Sequence, residues 1–168
     1  MEQLSNTQFE KKDIESNDER TIREAREIYE SYRMVALEKM DNRSMLEKIK
    51  KGRNPFFKSK TEGEELKHII EEYKQDGADG HILVAYLEFS QMSEKEKLWA
   101  LAECERNAAE NFQRKSREFA TSLLKGGKAK ITDEQDRIKI QKFSDEDFEL
   151  SEKFREKADV LFRGAKLL

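Results

Sequence analysis

The chain has 168 residues, 41% of them charged and 36% hydrophobic, and 33 basic against 36 acidic side chains leave a net charge of −3. This length suits one domain with a real core, and the near balance of charge excludes a global field steering the protein to DNA or to an anionic membrane. The single cysteine, Cys104, excludes an internal disulfide or a thiolate cluster within one chain.

No apolar run reaches the ~20 residues a membrane-spanning helix needs. The polar N-terminus does not read as a signal peptide, so no membrane and a cytoplasmic location are expected. Ten Phe argue against wholesale disorder, and one Pro favours long uninterrupted helices.

In chain order, residues 1–17 are polar, with Leu4, Phe9 and Ile14 as isolated apolar points, and read as a flexible N-terminal arm. Residues 18–168 read as a single helical domain. From Asp18 to about Lys50, Ile22, Ala25, Tyr29, Tyr32 and Ala36 step by three and four, predicting a long helix with a weak spot at Asp41–Ser44. Gly52 and Asn54-Pro55 stop it, because the residue before proline avoids the helical region.

Thr61 and Glu64 form a capping-box pattern, opening a helix through Leu66, Ile69, Ile70 and Tyr73 that ends at Gly77 and Gly80. His81 to Phe89 is the most apolar run. Its length would allow a buried strand, but no second strand is evident to satisfy its amides, so it is read as a buried helix.

The centre of the chain is the stretch from Ser93 to Leu124. Ser93 and Glu96 make a second capping box, and Leu98, Leu101, Ala102, Ala108, Ala109, Phe112, Phe119 and Ala120 follow with helical period up to Gly126-Gly127. Cys104 lies beside this stripe and reads as a small packed thiol. Thr132 and Gln135 are expected to cap a short segment. Ser144, followed by Asp145, Glu146 and Asp147, is expected to start the last helix, where acidic side chains offset the dipole. In that helix Phe154, Ala158, Leu161, Ala165 and Leu168 repeat by four and three, the cleanest heptad in the chain.

The fold class is therefore all-α: an irregular bundle of about five or six helices around a long central helix (93–125). Chemistry is sparse. Glu65 and His68 have the Glu-x-x-His spacing of di-iron bundles, but the second copy such a site needs is missing. Asp79-Gly80 followed by Ile82 has an EF-hand ring, but the ligand positions hold Gln75, Gly77 and Tyr86. Asn54-Pro55-Phe56 is similar to the tripeptide ligands of endocytic EH domains, too short a match to import a partner. No phosphate-cradling loop or nucleophile elbow is present, so neither an enzyme nor a cofactor or metal site is expected.

The leading expectation is a non-catalytic helical protein–protein interaction module, an adaptor, regulator or assembly factor, with a protein partner or self-association. Its candidate surface is the heptad Phe154, Ala158, Leu161, Ala165 and Leu168. This face either folds back onto the core or meets a partner helix. The rival is an accessory nucleic-acid binder using the loop 48–60, where Lys48, Lys50, Lys51, Arg53, Lys58 and Lys60 bracket Phe56 and Phe57. There cations would meet phosphates and aromatic rings would stack on bases.

Overall fold

The computed structural model describes residues 14–39, 62–77, 79–123 and 133–168. Five helices run through them: α1 (Asn17–Lys39), α2 (Glu62–Asp76), α3 (Gly80–Phe89), α4 (Glu94–Ser122) and α5 (Glu134–Leu167). Among the described residues there is no strand, and the apolar run His81–Phe89 is helix. Its buried amides are satisfied within α3 itself, which a lone strand could not achieve.

Local chemistry sets most helix starts. Ser93 and Glu96 exchange both capping-box hydrogen bonds, at 2.8 and 3.2 Å. Ser16 and Glu19 do the same at the head of α1, at 3.2 and 3.1 Å. Asp79 accepts from the His81 amide to start α3. Helix α4 runs unbroken through 29 residues to Ser122; the glycine pair meant to halt it, the Asp41–Ser44 weak spot and the Thr61 cap all lie outside the described residues.

One boundary differs from expectation. Ser144 does not open a helix; α5 is continuous for 34 residues, and its cap is Asp133, whose carboxylate accepts from the Gln135 amide at 3.0 Å. Ser144 instead sits buried inside α5. Serine followed by three acids resembles an N-cap, but here the hydroxyl is engaged by a neighbouring helix and leaves the intrahelical ladder intact.

Helices α4 and α5 form an antiparallel pair. Trp99 meets Phe162, Phe112 stacks on Phe154 with centroids 5.4 Å apart, Gln113 accepts from Arg155, and Phe119 meets Phe143. Small residues recur every seventh position on both: Ala102, Ala109 and Ser116 on α4, and Ser144, Ser151, Ala158 and Ala165 on α5, all buried. Short side chains on facing rows favour close approach, toward the low end of the roughly 8–10 Å usual between helix axes. Two hydroxyls lock the far half: Ser116 Oγ donates to the Ser144 carbonyl at 2.8 Å, and Ser144 Oγ donates to the Ser116 carbonyl at 2.9 Å.

Helix α1 lies antiparallel along the C-terminal half of α5. Gly164 faces Ala25 so closely that any side chain there would collide with the Ala25 methyl. Helices α2 and α3 close the remaining side. Gly77, at φ +57°, turns the chain against the α4 backbone at Asn107 and Ala108, and the Asn107 and Asn111 amides donate to the Lys74 and Asp76 carbonyls at the end of α2. The core holds two clusters, one around Ile70, Leu83, Leu87 and Tyr86, the other around Tyr32, Leu98, Leu101 and Leu161. Each buried Leu or Ile is worth ~1.5–3 kcal/mol.

Candidate functional site

Halfway along α4 a carboxylate stands where the apolar stripe would place a hydrophobe. Leu98, Leu101, Glu105, Ala108 and Phe112 step by three, four, three and four, so Glu105 is carried inward with the core and is only 1% exposed. Around it stand Tyr32 from α1, His81 and Gly80 from α3, and the Lys157 ammonium of α5. Tyr32 donates its hydroxyl to the Glu105 carboxylate. Lys157 Nζ reaches the Tyr32 oxygen at 3.4 Å and lies 5.3 Å from the Tyr32 ring centre. The rings of Tyr32 and His81 overlap at 4.4 Å. Gly80 has no room for a side chain, since a Cβ would come within 2.6 Å of Glu105 Oε1.

This node joins four helices, and its electrostatics follow from burial. Loss of solvent pushes the Glu105 carboxyl up to about 7; the Tyr32 hydrogen bond and Lys157 oppose the rise, while Asp79 adds to it. Glu105 Oε2 and His81 Nδ1 are buried with no hydrogen-bond partner. Burial, with Glu105 and Asp79 nearby, also pushes the Cys104 thiol up to about 12, so it stays protonated near neutrality. Glu105 is thus closed off from solvent, with the Tyr32 hydroxyl and the Gly80 backbone against its carboxylate.

The heptad candidates divide. Ala158, Leu161 and Ala165 are buried, Leu161 and Ala165 against α1 and α4; Phe154 is half-buried on Phe112, and Leu168 is exposed. The seam therefore folds back onto its own chain, because the Ala and Gly positions of α5 accept α1 at close range. A different row of α5 is open. Gly164 and Lys157 carry α1 through Ala25 and Tyr32. The same seven-residue step continues to Leu150 and Phe143, which are 39% and 50% exposed. Sequence reasoning named neither, because the helix start expected at Ser144 falls between them.

Charged side chains elsewhere are mostly self-neutralised. A groove of about 670 Å³ beside α1 holds Arg26, Arg33 and Lys97, but Arg26 pairs with Glu94, Arg33 with Glu30 and Glu88, and Lys97 with Glu88. Glu65 is buried, whereas His68 is exposed and sits 3.0 Å from Glu72, so the two do not converge. Among the described residues no group of three His, Cys, Asp or Glu could hold a metal ion, and no helix is long and apolar enough to cross a membrane. The nucleic-acid candidates Lys48, Lys50, Lys51, Arg53, Phe56, Phe57, Lys58 and Lys60 lie outside the described residues.

The chain matches no protein-family model, no curated protein and no solved structure.

Proposed function

We propose that this chain is a non-catalytic helical protein–protein interaction module whose docking face is the Phe143–Leu150 row of α5. The supporting observation is continuity: the row that receives α1 at Gly164 and Lys157 runs on with the same seven-residue step to Leu150 and Phe143, which are left partly exposed. Phe119 of α4 tilts against Phe143 at 5.9 Å and widens the apolar strip. Lys142 and Glu146, paired at 3.8 Å, and Glu149 give it a polar rim.

Full burial of a Leu or Phe side chain is worth ~1.5–3 kcal/mol, and Phe143 and Leu150, about half exposed, forgo a corresponding part of it. An amphipathic partner helix laid along this row recovers that energy, the helix-in-groove mode of recognition. The test is association of the purified chain, by light scattering for self-association and by co-purification from the native source for a heterologous partner. The Phe143→Asp/Leu150→Asp variant should keep its helical circular dichroism and lose the association. Unchanged association would overturn the assignment.

A further inference from the structure

At the opposite end of the α4–α5 pair, a second surface differs in character. Trp99 meets Phe162 edge-on with centroids 4.7 Å apart, and together they wall a groove of about 630 Å³ lined also by Arg106, Asp159, Arg163 and Lys166. Trp99 is 36% exposed. On its other side it borders a smaller hollow of about 270 Å³ containing Met92, Lys95 and Ala100.

The charges here are not cancelled as they are beside α1. Three cations face one carboxylate, Asp159, and among the described residues none of Arg106, Arg163 and Lys166 pairs with an acid. The nearby Glu103 carboxylate is already engaged: it accepts the Trp99 indole N–H at 2.9 Å and meets Lys74 at 2.9 Å. That bond also fixes the indole ring, so the aromatic wall is set before any ligand arrives. Arg106 lies with its guanidinium carbon 5.4 Å from the Phe162 ring centre, an arrangement that leaves its N–H fork for a carboxylate.

We propose that the Trp99–Phe162 groove binds a short acidic segment of another protein, seating one aromatic or aliphatic side chain against Trp99 and its carboxylates on Arg106, Arg163 and Lys166. A single nucleic-acid strand would also offer rings and negative charge. It is disfavoured because Asp159 sits in the groove and three cations are few against a backbone with one charge per nucleotide. The acidic segment needs only two or three carboxylates beside its anchor. The proposal is independent of the Phe143–Leu150 row, and either can fail without the other.

Trp99 is the only tryptophan, so its emission reports occupancy directly. Peptides rich in Asp and Glu around a single Leu or Phe should shift or quench it, with affinity that falls as salt is added. The Arg163→Glu/Lys166→Glu variant should weaken binding at least ~10-fold, and peptides with Lys in place of the acids should leave the emission unchanged. Should charge reversal disturb the circular dichroism, Arg163→Ala/Lys166→Ala provides the same comparison. No emission change with any acidic peptide, equal affinity in the variants, or tighter binding of a single-stranded oligonucleotide would overturn the proposal.

Discussion

Burial opposes the charge of Glu105, while one hydroxyl and one ammonium support it. With its carboxyl at about 7 in the folded chain against 4.5 when exposed, folding favours the protonated form. The contribution is therefore intact below pH 4.5, declines as pH rises between those values, and stays lost above about 7. Glu105→Gln keeps the shape without the charge. It should be more stable than the native chain in mildly alkaline buffer by on the order of 2–3 kcal/mol, and the gap should close toward pH 4.5. Chemical denaturation at a series of pH values measures this, and a pH-independent difference would exclude it. Gly164 sets a second test. Ala would gain about 1 kcal/mol of helix propensity, but collision with Ala25 should cost about 1–3 kcal/mol. Gly164→Ala should therefore lower the melting temperature, and adding Ala25→Gly should recover part of the loss.

At the scale of the element, α5 is the informative helix. Its length depends on whether the chain passes through Ser144 or starts there. Proline is accepted in the first turn of a helix but costs about 3 kcal/mol or more in its interior. Asp145→Pro should therefore be strongly destabilising, whereas a helix capped by Ser144 would tolerate it; thermal melting separates the two. The small-residue row makes a parallel demand. Ser151, fully buried between α4 and α5 with its hydroxyl turned back to the Phe148 carbonyl, leaves no space for a branched side chain. Ser151→Leu should force the helices apart and cost about 1–3 kcal/mol, read as a lower denaturation midpoint.

For the whole molecule, the organising fact is that one face of α5 serves both neighbours. Leu161 and Ala165 contribute to the core cluster shared with α1 and α4, and Ala158 is buried on the same helix. Truncation before Ser144 should therefore abolish cooperative melting rather than yield a stable shortened monomer, a result that circular dichroism with light scattering would show. A folded, monomeric truncated chain would mean that the C-terminal seam is dispensable. The two proposed surfaces fall at opposite ends of the α4–α5 pair. One is apolar with a rim of Lys142, Glu146 and Glu149 and the other aromatic with a cationic rim, so the two proposals call for dissimilar partners.

Local chemistry alone determined much of this protein. The capping box at Ser93 and Glu96 and the period running from Leu98 to Phe119 required only near neighbours in the chain, and the helical reading of His81–Phe89 required only that no second strand was evident in the sequence. Two signals were legible but unread: Glu105 occupies an apolar-stripe position, and Ser144 and Ser151 continue the heptad of Ala158 and Ala165 backward. Tertiary structure decided the rest. Whether a serine caps a helix or bonds across to another depends on a partner 28 residues away, and whether a heptad is core or docking surface depends on which helix reaches it first. Periodicity states which side of a helix must be covered; only close packing, here set by Gly164 and the small residues of α5, selects what covers it.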